Sequence, residues 1–132
     1  MTVPVKHISI SIERPNNEVY QFASSPENFP KWLAFIKSMS KESGNTWRAE
    51  TDMGPTSIKL IPANDLGIID HTVTLEDGTI VHNPLRVIQN KTGSEVIFTL
   101  FQMPEKTNEE FEADSDLVKA DLATLKKILE ND

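Results

Sequence analysis

The feature that most constrains the fold is an apolar stripe in the last quarter of the chain. Its members recur at steps of three, four or seven residues, which is the spacing of one face of an α-helix. They are Phe111, Val118, Leu122, Leu125 and Leu129. Thr107, followed three residues later by Glu110, fits a capping box and predicts the start of this helix. A final helix with one long apolar face needs a sheet to bury that face.

The rest of the chain supplies strands for such a sheet. Residues 5–13 alternate, with Ile8, Ile10 and Ile12 on one face and His7 on the other. Two short helices are predicted next, one beginning at Pro15 and one over residues 25–36. Five further strand segments follow, separated by turns rich in Gly, Asn, Asp and Pro. These segments are residues 46–51, 56–62, 66–75, 79–89 and 94–103.

This order of elements predicts an α+β fold in which a curved antiparallel sheet wraps around the C-terminal helix. We expect a single domain over residues 1–132, since the length suits one domain with a substantial core. The space between the sheet and the last helix is where a ligand would bind.

Composition excludes several functional classes. Cysteine is absent, so disulfides, thiolate catalysis and cysteine-based zinc sites are excluded, and the three histidines show no short metal-binding spacing. We therefore expect no metal and no cofactor. The net charge of −7 argues against a nucleic-acid partner, because an acidic surface repels phosphates. No apolar run is long enough for a membrane span, and no signal segment is evident, so a cytoplasmic location is expected.

Four stretches of the sequence resemble the SRPBCC superfamily over nearly the whole chain. They read PNNEVYQFASSPENFPKW, LGIIDHTVTLEDGTIVHNPLRV, GSEVIFTLF and FEADSDLVKADLATLKKILE. This superfamily includes START lipid-transfer domains and birch-pollen-allergen-like proteins, and the second and third stretches resemble a bacterial subgroup of polyketide cyclase/dehydrase-like proteins. The resemblance implies the helix-grip fold and a cavity for a hydrophobic small molecule. It does not decide between binding, lipid transfer and catalysis.

Asp70 and His71 are two titratable neighbours in the segment 66–75. Neighbours in a strand point to opposite faces, so they cannot form a catalytic pair with each other. His71 shares its face with apolar Ile69 and Val73, which predicts that His71 points into the cavity. Asp70 is then expected on the surface, where its replacement should have little effect.

The turn after this strand sets the register of its partner. If Asp77–Gly78 is a two-residue loop, Glu76 pairs with Thr79. Counting from that pair places His82 and Arg86 on the same inner face as the histidine before the turn. This register predicts a pocket with a polar end.

Pro84 allows a second register. Proline cannot donate to a ladder and often marks a bulge, and a bulge there would turn Arg86 outward, toward a salt bridge with Glu95 or Asp70. The alternatives predict different ligands. An arginine buried without a partner costs several kcal/mol, so an inward Arg86 would require a ligand with a carboxylate, phosphate or enolate-like oxygen.

Aromatic residues complete the set of candidates. The resemblance places Trp32 near the cavity mouth, and the last strand is largely apolar on both faces. The candidate ligand-binding residues are Trp32, His71, His82, Arg86, Phe98 and Phe101.

The favoured hypothesis is a binding module for a small hydrophobic molecule with a polar or anionic end. The alternative is a polyketide cyclase/dehydratase-like enzyme with His71 as general acid/base and Arg86 as oxyanion stabiliser. A third hypothesis is protein interaction through the acidic face. The sequence leaves a homodimer open.

Overall fold

The computed structural model describes residues 1–131. The described strands are β1 (Val5–Ile12), β2 (Ile36–Ser43), β3 (Thr46–Thr51), β4 (Gly54–Leu60), β5 (His71–Thr74), β6 (Ile80–Asn83), β7 (Leu85–Asn90) and β8 (Gly93–Phe101). The described helices are α1 (Asn16–Ala23), α2 (Phe29–Trp32), preceded by a 3₁₀ turn at Pro26–Asn28, and α3 (Asn108–Glu130).

All strand pairs are antiparallel, in the orders β1-β8-β7 and β2-β3-β4-β5-β6. The two groups are joined beside β5, where Ile68 and Arg86 form a bridge. Backbone hydrogen bonds flank that bridge, from Ile69 N to Leu85 O (2.8 Å) and from Val87 N to Gly67 O (2.9 Å). The structure therefore has two antiparallel sheets, of three and five strands, which this bridge connects.

The C-terminal helix α3 packs its apolar stripe against the sheet and α2, as its spacing predicted. Phe111, Leu122, Leu125 and Leu129 are buried, and the capping box at Thr107 is formed. Much of this contact is with β1, which fixes the helix across the inner face of the sheet. Among residues 1–131, no helix is both long and apolar enough to cross a membrane.

The structure corrects the prediction of a helix over residues 25–36. The helix ends at Trp32, and the chain then enters strand β2, which the sequence did not predict. β2 lies at an edge of the sheet, and of its side chains only Ile36 is buried. An edge strand with polar side chains on both faces has no apolar alternation, so its sequence carries no strand signal.

Candidate functional site

The loop between β5 and β6 sets which side chains reach the interior. Leu75 N donates to Thr79 O (2.8 Å), and Gly78 N donates to Leu75 O (2.9 Å). Because Leu75 is hydrogen-bonded to Thr79, the loop between them has three residues. Its last residue, Gly78, has φ +91°, the left-handed conformation that glycine tolerates. The predicted loop had two residues. The pairing is therefore shifted by one, and His71 stands opposite Asn83.

A shift of one residue turns every side chain of a strand to the other face. His82 pairs with Thr72 and is exposed, and Arg86 is exposed on the outer face. The prediction that His82 faces the cavity is therefore wrong. For Arg86 the structure has the outward orientation with a salt bridge to Asp70, which is one of the two alternatives that the sequence left open. The same register continues past Pro84 to the bridge between Ile68 and Arg86, so the extra loop residue turns Arg86 outward without a bulge at Pro84.

Asp70 holds Arg86 against the outer face. Its carboxylate accepts hydrogen bonds from Arg86 Nε (2.9 Å) and Nη2 (2.7 Å) and from the backbone N–H of Leu85 (3.0 Å). The hydrogen bonds from Arg86 lower the pKa of Asp70, and the same contact raises the pKa of Arg86. The Asp70 side chain is only 14% exposed. Asp70 lies on the outer face, as predicted, but these hydrogen bonds and its low exposure argue against the expectation that its replacement has little effect.

A cavity of about 350 Å³ lies between the inner face of the sheet, α2 with the segment after it, and α3. Most of the side chains that line it are apolar, and sheet and helices both contribute. Prominent among them are Phe29, Trp32, Val73, Phe98, Leu100 and Phe101. Of the predicted ligand-binding residues, Trp32, His71, Phe98 and Phe101 line the cavity, whereas their contact with a ligand stays a prediction.

His71 is the buried polar group of this cavity. The residue is 6% exposed, its Nδ1 lies 2.9 Å from Ile69 O, and its ring stands 6.1 Å from the ring of Phe29, centroid to centroid. Burial lowers the pKa of His71, because the charged imidazolium loses its hydration there. The inward position of His71 agrees with the prediction from strand alternation.

Asn83 is a cavity residue that the sequence analysis missed. It lines the cavity directly across the strand pair from His71. Within residues 1–131, no protein group forms a hydrogen bond with its side-chain amide. The Glu-Asp-Gly sequence of the loop was the available signal, because glycine in the third position also suits a three-residue loop.

Charged side chains line the α3 side of the cavity and its rim. Lys106 Nζ and Asp114 Oδ2 form an ion pair at 3.2 Å, and Glu105 is exposed beside them. Asp121 is half-buried, accepts a hydrogen bond from Ala34 N (3.2 Å), and has its pKa raised by burial. No cluster of three or more potential metal ligands occurs in the described part of the chain.

No family model and no curated protein matches this chain significantly. Solved structures do match. A START superfamily protein from Mycobacterium smegmatis is similar with a TM-score of 0.73 and 10% identity, over 96% of this chain and 97% of that one. The Aha1 dimer from Colwellia psychrerythraea gives a TM-score of 0.74 and 16% identity, over 96% of each chain. Ara h 8.0201 gives a TM-score of 0.68 and 12% identity, over 98% of this chain and 99% of that one. The chain therefore has the same fold as these solved structures, which is the helix-grip fold that the sequence predicted.

Proposed function

We propose that this protein binds a small, mainly apolar molecule in the cavity between the sheet and α3. The observation that carries the proposal is the cavity itself, about 350 Å³ lined mostly by apolar side chains. Protein cores are close-packed, and an unfilled apolar space loses dispersion contacts that a ligand would restore. At roughly 30 Å³ per non-hydrogen atom, the cavity suits a ligand of about a dozen such atoms.

The resemblance supports the same proposal by analogy. Members of the superfamily that the chain resembles bind hydrophobic molecules in this cavity, and fold likeness alone does not transfer a ligand or a reaction. The anionic ligand end that the sequence suggested rested on an inward Arg86. Since Arg86 is outside and paired with Asp70, that part of the hypothesis has lost its basis.

Catalysis is the weaker candidate. The enzyme hypothesis paired His71, as acid/base, with Arg86 as oxyanion stabiliser, and Arg86 does not reach the cavity. No observation on the described residues favours turnover over binding, and none favours interaction through the acidic face. A cytoplasmic location stays a prediction from the sequence, which left the oligomeric state open.

Two neighbouring residues of β6 offer a matched test. Val81 lines the cavity, and Ile80 points outward and is 60% exposed. Val81→Phe fills part of the cavity, whereas Ile80→Phe adds the same side chain outside. Calorimetric titration with alkyl and aromatic ligands of eight to fourteen non-hydrogen atoms should give binding to the original protein and to Ile80→Phe. Val81→Phe should bind at least about tenfold more weakly. No binding by the folded original protein across this set would contradict the proposal.

A further inference from the structure

Within the proposed binding function, we infer that the cavity selects a ligand whose polar end is an uncharged hydrogen-bond donor, such as a hydroxyl group, and disfavours a carboxylate. Of the polar or anionic ligand end that the sequence suggested, the inference keeps the polar one, and it rests on three features of the cavity.

The first feature is the tautomer of His71. The carbonyl oxygen of Ile69 can only accept a hydrogen bond, so the proton lies on Nδ1 of His71, 2.9 Å away. Burial keeps the imidazole neutral at ordinary pH. Nε2 then carries a lone pair, and among residues 1–131 it has no hydrogen-bond donor. Because His71 lines the cavity, this ring offers the ligand an acceptor and requires a donor from it.

The second feature is Asn83, which stands opposite His71 in the strand pair. A side-chain amide offers both a donor and an acceptor. A hydroxyl group can donate to the histidine nitrogen and at the same time accept from the Asn83 amide. A carboxylate has no proton to donate, so it can satisfy only the amide.

The third feature is the balance of charge. Among the described residues that line the cavity, Lys106 is the one cation other than a histidine, and Asp114 pairs with it at 3.2 Å. Asp121 and Glu105 also line the cavity and add no positive charge in either protonation state. A carboxylate that entered would lose its hydration with no unpaired cation to replace it.

A matched pair of probes tests this inference directly. 1-Decanol and decanoate have the same chain and about the number of atoms that the cavity can hold. At pH 8 decanoate is ionised and His71 is neutral. In calorimetric titrations we expect 1-decanol to bind at least about tenfold more tightly than decanoate.

The possible results separate the inference from the function on which it rests. If neither probe binds, and no other member of the apolar ligand set binds, the proposed function is wrong. If decanoate binds as tightly as 1-decanol or more tightly, the inference is overturned while the cavity remains a binding site.

Variants assign the preference to the residues that we invoke. His71→Phe keeps the size and burial of the ring and removes the acceptor, and Asn83→Ala removes the amide. Each should weaken 1-decanol binding at least about fivefold and change decanoate binding less. His82→Ala, next to Asn83 but on the outer face, is the control and should leave both affinities unchanged. Unaltered 1-decanol affinity in folded His71→Phe would overturn the role assigned to the histidine.

Discussion

Replacing Asp70 by alanine should destabilise the protein far more than an exposed carboxylate would. The Asp70 carboxylate makes a bidentate pair with Arg86 and also accepts the backbone N–H of Leu85. Pro84 precedes Leu85 and has no N–H, so it cannot donate a ladder hydrogen bond here, although its carbonyl oxygen accepts one from Thr99 N (3.0 Å). Asp70 supplies from its side chain the acceptor that holds the backbone at this point.

The magnitude follows from separating these two contacts. The Arg86 side chain is 47% exposed, so the ion pair is screened by solvent, and Arg86→Ala should cost about 0.5–1 kcal/mol. Asp70→Ala loses the same pair and also leaves the Leu85 N–H without an acceptor, which costs about 1–3 kcal/mol. Asp70→Ala should therefore lower the free energy of unfolding by roughly 1.5–4 kcal/mol. The double variant should resemble Asp70→Ala.

Urea denaturation at pH 7 measures these differences. Asp52→Ala is the control, because the Asp52 ion pair with Lys37 is exposed on both sides and should contribute less than about 0.5 kcal/mol. The pKa of Asp70 is lowered on folding from 3.8, so its contribution is complete above that value and is lost as the pH falls through the lower folded pKa. Equal losses for Asp70→Ala and Arg86→Ala would refute the role of the backbone contact.

Three further measurements test the fold and the site. In urea denaturation, Leu125→Ala should lower the free energy of unfolding by about 2–5 kcal/mol. Leu117 is 61% exposed on the same helix, so Leu117→Ala is the control and should lower it by less than about 0.5 kcal/mol. Equal losses would contradict the packing of α3. Because burial lowers the pKa of His71 from 6.5, the unfolded chain takes up this proton first. The His71 contribution should therefore lower the free energy of unfolding as the pH drops below about 6.5 and have no effect at higher pH. His71→Phe should lack this pH dependence. An NMR titration of His71 with an ordinary pKa would contradict its burial. Gly78→Ala should lower the free energy of unfolding by about 1–2 kcal/mol. A Cβ at this position meets no neighbour, so the whole cost comes from the positive φ. An unchanged free energy of unfolding would argue against the three-residue loop.

Local periodicity was enough to predict the main elements and one site residue. The stripe from Phe111 to Leu129 follows the 3.6-residue repeat of a helix, and the alternation around Ile10 follows the two-residue repeat of a strand. The inward position of His71 comes from the same alternation, because it shares a face with Ile69 and Val73, both buried. Each of these depends only on neighbours within one element, so the sequence by itself determined them.

The tertiary structure decided everything that depends on how one strand meets the next. Polar β2 is a strand because its backbone pairs with β3, and its own side chains give no sign of this. The loop that ends at Gly78 has one residue more than predicted, so Asn83 lies on the inner face where the predicted register had Arg86. The polar end of the cavity therefore has an amide in place of the predicted cation. Two-residue and three-residue loops are both compatible with Glu-Asp-Gly, and they place opposite faces of the next strand inside. The choice between them is made by the summed packing of β5 to β8 and α3, which no local sequence pattern encodes.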